Sequence, residues 1–305
     1  MSGTKVTFVG LGAMGAGMAT CLAKAGVALT VFDLRQSAMD SIALHGAQTS
    51  TSAASASQGS DVLILMVINQ EQALSVLFDQ GALDALKQHA TVVLMSTIAP
   101  SEATSLAQRI TASGNGHRTF IDCPVSGGKP GADSGTLTLM ASCPRPIFDA
   151  HRDLLGIMGS KLFHVGESAG QGQSMKCVNQ VLCAIHLVAA AEAISFAKAS
   201  GIDPTMALEV TTGSAANSWF LTNRGPRMLQ ETPSVASATN IIAKDAGIVI
   251  NAARQMGVAL PLTAQALQMI NASQGREEGL LDDSQVVRSY DLLNGLRATQ
   301  VTRQK

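Results

Sequence analysis

The stretch "GQGQSMKCVNQVLC" holds the residues best suited to proton chemistry. Lys176, Asn179, Gln180 and Cys183 follow one another at spacings of three, one and three, so on a helix they project from a single face. An amine beside two carboxamides, in a segment otherwise rich in Val, Leu, Ala and Ile, makes a polar stripe in apolar surroundings. A lysine confined in such a place can have its pKa lowered enough to take a hydroxyl proton from a substrate. The same spacing also fits a solvated lysine beside surface amides, and periodicity alone leaves both readings standing.

A second constellation lies near the N-terminus. "VTFVGLGAMGAGMATCLAKAG" runs from an apolar strand through Gly10, Gly12 and Gly15 into a helix. Gly10 permits the tight turn out of the strand, Gly12 admits a pyrophosphate close to the backbone, and Gly15 lets helix and strand pack closely. A three-glycine pattern is weak alone. Here it follows a strand and opens a helix, and Asp33 ends the next strand 18 positions after Gly15, where a carboxylate accepts hydrogen bonds from ribose hydroxyls. The expected cofactor loop is therefore Gly10, Leu11, Gly12, Ala13, Met14 and Gly15, with its helix N-terminus facing phosphate. A carboxylate at Asp33 repels a 2′-phosphate, which favours NAD over NADP, although Arg35 could pair with that phosphate if Asp33 turned aside.

These residues need elements to hold them. Val6–Val9, Ala28–Phe32, Val62–Val67, Val92–Met95 and Thr119–Ile121 read as strands, separated by helical stretches at 15–25, 37–45, 70–78 and 100–113. Strand and helix in strict alternation predict parallel pairing and a doubly wound sheet, and continuous apolar runs such as "VLILMV" fit strands covered on both faces. "TSTSAASASQGS" reads as a helix and loop leading into the next strand. Beyond about His164 helices take over: 172–200, 204–212, 241–256 and 261–274, punctuated by Pro204, Gly201, Gly257 and Gly275. The first of these would be about 40 Å long, enough to bridge two domains. The expected division is residues 1–164 and 165–305, with a frayed tail ending "RATQVTRQK".

Composition narrows the partners. A net charge of -1 with scattered signs offers no footprint for nucleic acid or an anionic membrane. The five cysteines, Cys21, Cys123, Cys143, Cys177 and Cys183, lack metal-site spacing, so no metal is expected and reduced thiols in a cytoplasm are. The N-terminus does not read as a secretory signal. "DVLILMVI" is too short to span a bilayer, and 178–198 carries His186 and Glu192, so no membrane span is expected. His164 and His186 read as structural.

The ordered set "GLGAMGAGMA", "STIAP", "DCPVSGGKPGADSGTLTLM", "GQGQSMKCVNQ" and "KDAGI" resembles the β-hydroxyacid dehydrogenase family over about residues 5–290. That resemblance implies an α/β protein: a Rossmann-type doubly wound parallel sheet followed by an all-helical second domain that commonly mediates homodimers or homotetramers. It implies an NAD-dependent oxidoreductase acting on a small hydroxy acid, with Lys176 as general acid and base. Ser126, Gly127 and Gly128 would hold the substrate carboxylate, and Asn179 would orient its hydroxyl. Met66, Val67, Ile68 and Thr97 would line the cofactor, with Lys244 near its nicotinamide end and Asp245 orienting the local backbone. Two departures stand out: Gln180 where the family commonly has Asn, and Met95 where it usually has an acidic residue. "NSWFLTNR" is most similar to the four-carbon acid-sugar branch, so L-threonate or a related tetronate is the leading substrate, with Asn217 or Ser218 binding a hydroxyl. 3-Hydroxyisobutyrate and tartronate semialdehyde stay open as substrates. An imine-reducing enzyme and a non-catalytic dinucleotide module are disfavoured by the intact Lys176.

Overall fold

The computed structural model describes residues 3–113 and 117–296; the tail Arg297–Lys305 lies outside the described residues. The chain divides into two compact units, Met1–Cys177 and Val178–Lys305.

In the first unit, β1 (Lys5–Val9), β2 (Ala28–Phe32), β3 (Gln48–Thr49), β4 (Val62–Leu65), β5 (Thr91–Leu94) and β6 (Thr119–Asp122) pair in parallel. Their spatial order is β3-β2-β1-β4-β5-β6. The crossovers are α1 (Gly15–Lys24), α2 (Gln36–Ala43), α3 (Ala53–Ser57), α4 (Gln70–Leu74) with a π-helical turn at Ser75–Asp79, α5 (Ala82–Ala85) and α6 (Pro100–Ser113). Helices cover both faces, so Leu63, Ile64 and Leu65 on β4 are all fully buried. Each such side chain contributes about 1.5–3 kcal/mol of burial energy. The strand order runs outward from β1 one way through β2 and β3 and the other way from β4 through β5 and β6, so the winding switches between β1 and β4. Because the strands are parallel, the loops after β1, β2, β4 and β5 lie at one edge of the sheet.

The parallel sheet expected from the sequence is present over β1–β6, and beyond it the sheet carries a mixed edge. β7 (Val125–Ser126), α7 (Gly128–Ser134), β8 (Thr138–Ser142), α8 (Arg145–Gly156) and β9 (Lys161–Gly166) extend it, with β8 antiparallel to β6 and β7 and parallel to β9. A link as short as the one from β7 to β8 cannot make the crossover that parallel strands require. α7 holds Pro130 and two glycines and owes its existence to packing on α1. A Cβ at Gly17 of α1 would press within 2.7 Å of the Ala132 and Asp133 backbone.

The long helix α9 (Gln171–Ala199) passes from the first unit into the second. Among the described residues it is the one helix long and apolar enough to cross a bilayer, and 50% of its most apolar stretch is buried. α10 (Pro204–Thr212), α11 (Trp219–Met228), α12 (Thr239–Met256), α13 (Pro261–Gly275), a 3-10 turn at Asp283–Val286 and α14 (Val287–Leu293) complete the helical unit. Its core joins Leu187, Ala191 and Ile194 of α9 to Ile242, Ala246, Ile270 and Val287. Two ion pairs pin α11 to the 3-10 turn: Arg224 to Asp283 at 2.6 Å, and Arg227 to Asp282 at 2.9 Å.

Candidate active site

The glycine loop after β1 has the conformation its sequence demands. Gly10 adopts a φ of +96°, and a Cβ there would strike the Met66 carbonyl. A Cβ at Gly15 would strike the Gly10 carbonyl and sit 3.2 Å from the Phe8 ring, so the third glycine lets α1 descend onto its own loop. Gly12 differs: a Cβ there would meet nothing within 4 Å, which marks open space beside the backbone. No side chain caps the N-terminus of α1, and its first turn carries no acid. Open space at Gly12, uncapped N–H groups and a positive dipole end fit a dinucleotide pyrophosphate.

Asp33, at the end of β2, ties that loop to its neighbour. Its carboxylate accepts from the Leu11 N–H at 2.7 Å and from the Arg35 N–H and Nε at 2.9 and 3.0 Å, while Arg35 Nη2 donates to the Leu11 carbonyl. Partial burial works to raise the Asp33 carboxyl, but the Arg35 and Leu11 hydrogen bonds together hold it below the ordinary range. After β4, the Val67 N–H donates to Ser96 Oγ and the Ile68 N–H to Gln72, while Asn69 caps α4. Ile68 is 54% exposed. Met95, where the family usually has an acid, is fully buried in the core.

A network not anticipated from sequence ties the start of α9 to this edge. Asp122, at the end of β6, is fully buried, and its Oδ2 accepts from the Gly170 and Gln173 N–H groups at 2.9 and 3.1 Å. Ser142 on β8 accepts from the Gly172 N–H at 2.8 Å and donates to Asp122 at 3.3 Å. These contacts satisfy donors at the start of a 29-residue helix with a negative charge, as its dipole favours. Burial raises the Asp122 carboxyl, opposed by the hydrogen bonds from Gln173 and Gly170. Gly172 is required for the approach, since a Cβ there would lie 2.7 Å from the Asp122 carbonyl oxygen. Gln173 reaches back to the β5 loop: Oε1 accepts from Ile98 N–H at 3.1 Å, and Nε2 donates to the Ser96 carbonyl and to Asp122 Oδ1 at 3.0 and 2.8 Å. Half-buried Thr97 lies between the two residues so held.

Lys176 follows Gln173 by one helical turn and is 6% exposed, which removes the solvated-lysine reading. One turn further on, Asn179 Nδ2 donates to Gln180 Oε1 at 2.8 Å and to Cys183 Sγ at 3.0 Å. The shared face expected from spacing is therefore present. Gln180 Nε2 donates to Asp245 Oδ2 at 2.6 Å, a link from α9 to α12 made by the residue that departs from the family's Asn. Lys244 Nζ pairs with Asp245 Oδ1 at 3.0 Å, misaligned for a hydrogen bond. Asp245 is 6% exposed, so this is no surface pair.

The remaining expected residues are placed as follows. Gly127 and Gly128, after Ser126 on β7, both have positive φ, +133° and +62°, backbone that only glycine adopts easily. Ser218 caps α11 by accepting from the Leu221 N–H, and Asn217, exposed, accepts from Thr222 Oγ1. Trp219 is half-exposed, with the Arg224 guanidinium 5.5 Å from its ring. His164 shares a 2.7 Å hydrogen bond with the Cys143 carbonyl and packs on Phe148, a structural role.

Comparison with known proteins gives the same assignment from an independent direction. Residues 5–166 match the family model for the NAD binding domain of 6-phosphogluconate dehydrogenase, and 170–290 match that for the NAD-binding region of NADP-dependent 3-hydroxyisobutyrate dehydrogenase. The L-threonate dehydrogenase of Cupriavidus necator is 35% identical over 92% of this chain and 94% of its own. The 2-hydroxy-3-oxopropionate reductase of Escherichia coli K12 is 32% identical over 95% and 98%. The crystal structure of 3-hydroxyisobutyrate dehydrogenase from Salmonella typhimurium superposes with a TM-score of 0.88 at 32% identity, covering 93% of this chain and 99% of that one. A glycine loop shaped for a dinucleotide, a buried lysine on the long helix and matches along nearly the whole length agree: the chain belongs to the β-hydroxyacid dehydrogenase family and is an NAD-binding oxidoreductase acting on CH–OH.

Proposed function

We propose that this enzyme oxidises the hydroxyl of a four-carbon sugar acid, L-threonate or a close relative, with NAD+ preferred over NADP+. The relatives named L-threonate dehydrogenase, at 31–35% identity, support the substrate. Asp33 supports the cofactor preference, because its carboxylate already accepts from the glycine loop and from Arg35 and so stays where a 2′-phosphate would meet it. The observation that carries the reading is Lys176, a buried amine on the helix face it shares with Asn179.

The residues divide the work. Gly10, Leu11, Gly12, Ala13, Met14 and Gly15 hold the pyrophosphate, Asp33 the adenosine ribose, Met66, Val67 and Ile68 the cofactor's flank, and Thr97 and Lys244 its nicotinamide side. When bound, the nicotinamide supplies the hydride acceptor. Ser126 and the N–H groups of Gly127 and Gly128 receive the substrate carboxylate, the two glycines carrying no Cβ to crowd an anion at those N–H groups. Asn179 spends its Nδ2 on Gln180 and Cys183, which leaves Oδ1 to accept from a substrate hydroxyl. Lys176 accepts the proton of the reacting hydroxyl and, in the reverse direction, returns it to the carbonyl oxygen. Asn217 and Ser218 offer an amide and a hydroxyl hydrogen to the distal hydroxyls.

We assign dinucleotide binding to residues 1–164, and substrate handling and self-association to 165–305. Met175, Val178, Leu182 and Phe196, 40–68% exposed along α9, form an apolar stripe suited to a second copy in a homodimer or homotetramer. A cytoplasmic location suits the reading. The test is NADH or NADPH formation from L-threonate, D-erythronate, 3-hydroxyisobutyrate and D-glycerate side by side, with NAD+ and NADP+ respectively. L-Threonate or D-erythronate should lead with NAD+. A clear lead for 3-hydroxyisobutyrate, or for NADP+, would overturn the corresponding half of the reading.

A further inference from the structure

Gln173 has no assigned part in the chemistry, yet it touches both sides of the residue expected beside the nicotinamide and lies one turn before the proposed base. Its carboxamide is almost fully spent: Oε1 on the Ile98 N–H, and the two Nε2 hydrogens on the Ser96 carbonyl and Asp122 Oδ1. The backbone fixes which way round that amide sits. The Ile98 N–H can only donate and the Ser96 carbonyl only accept, so the oxygen must face Ile98 and the nitrogen must face Ser96 and Asp122. Asp122 is anchored in turn by the Gly170 and Gln173 N–H groups and by Ser142. Every member is buried, and an unmatched polar group there would be costly.

We propose that Gln173 is a positioning residue for the dehydrogenase reaction, a clamp that sets the Ser96–Thr97–Ile98 backbone and the turn of α9 carrying Lys176 as one rigid piece. The loop that would meet the nicotinamide and the helix that presents the base come from segments 75 to 77 residues apart in the chain. One side chain joins them by direct hydrogen bonds. A shift of about 1 Å between proton acceptor and reacting carbon is enough to cost about 100-fold in rate, so a short, buried link at this place matters for turnover more than for binding. The proposal rests on Lys176 being the base, as proposed above.

The test uses the full chain carrying Gln173→Met, near-isosteric and without polar hydrogens, and Gln173→Glu, alone and combined with Asp122→Asn. In the combined variant the new amide nitrogen faces the new carboxylate, which restores that one bond with its roles exchanged while the Ser96 carbonyl stays without its donor. Thermal melting establishes which variants are folded. NAD+ affinity by calorimetry, hydrogen exchange of the peptide spanning Met95–Ile98, and kcat and KM for L-threonate are then read well below the melting temperature. Gln173→Met should lower kcat about 10- to 100-fold, leave KM within about threefold and speed exchange at Thr97 and Ile98. The combined variant should recover only part of the kcat lost by Gln173→Glu alone, because the bond to Asp122 is rebuilt and the one to Ser96 is not. A folded Gln173→Met enzyme with wild-type kcat and wild-type exchange at Thr97 and Ile98 would overturn the clamp. If Gln173→Met does not fold, a folded Gln173→Glu enzyme with wild-type kcat and wild-type exchange at Thr97 and Ile98 overturns it instead, since that variant lacks the donor to the Ser96 carbonyl. Should the wild type oxidise none of the hydroxy acids, the substrate reading falls, while exchange and NAD+ affinity still decide whether Gln173 holds the Thr97 loop.

Discussion

Two glycines three residues apart in the same loop should respond oppositely to a single added methyl. At Gly12 a Cβ meets nothing within 4 Å, and the residue is not among the positive-φ glycines, so Gly12→Ala fits the folded chain without strain. Lower entropy of the unfolded chain should then leave the apo protein as stable as wild type, or more so by about 0.4–1 kcal/mol. The methyl occupies the space a pyrophosphate needs, and losing even one charge-assisted backbone hydrogen bond, about 1.5–3 kcal/mol, weakens NAD+ binding at least tenfold. At Gly15 the methyl collides with the Gly10 carbonyl and crowds Phe8. Overpacking of that kind costs about 1–3 kcal/mol before any cofactor is added. Denaturant unfolding of the apo variants together with calorimetric NAD+ titration separates the two effects. A Gly12→Ala protein that is clearly less stable, or that binds NAD+ as tightly as wild type, would refute the division of roles between the two glycines.

Further consequences follow from the ion pairs and amide contacts. Asp33→Asn removes the charge that opposes a 2′-phosphate and frees Arg35 to pair with it, so the NADP+ to NAD+ ratio of kcat/KM should rise at least about tenfold; an unchanged ratio contradicts the role given to Asp33. Gln180→Leu deprives buried Asp245 of its 2.6 Å donor and Asn179 of its acceptor, and the KM for the hydroxy acid should rise about tenfold with NAD+ affinity kept, measured by steady-state kinetics and calorimetry. Burial acts to raise the Asp282 carboxyl, but hydrogen bonds from Arg227, Ser284 and Ala236 overcome it and hold the group at about 2. Its stabilising contribution, about 2 kcal/mol, is therefore complete above about pH 4 and lost as pH falls toward about 2. The stability gap between wild type and Asp282→Asn, measured across that range, should narrow as the pH drops.

Much of this was legible because the signals are local. Strands 28–32 and 119–121, the helix at 100–113 and the long helix beginning near 172 announce themselves through short apolar runs, Pro100 and periodicity, and the structure places them within a residue or two. The β7–α7–β8 excursion did not announce itself, because "SGGKPGADSG" has the composition of a loop and becomes a helix only where α1 packs against it through Gly17. The cofactor glycines and Asp33 lie within one strand–helix–strand unit and so could be read in line. The Asp122–Gln173 contact joins residues 51 apart and Gln180–Asp245 residues 65 apart, and no spacing rule reaches that far. A faint signal existed: Gly170 and Gly172 at a helix start, both in places where a Cβ would collide, mark a helix end driven close against other backbone.

The central claim is that Lys176 moves the proton, and the most direct measurement pairs the kcat of Lys176→Ala with its NAD+ dissociation constant. General acid–base catalysis contributes about 10²- to 10⁴-fold, so kcat for L-threonate should fall by about a thousandfold while NAD+ binds as to the wild type. Turnover within about tenfold of wild type, with cofactor affinity intact, would show that another group takes the proton.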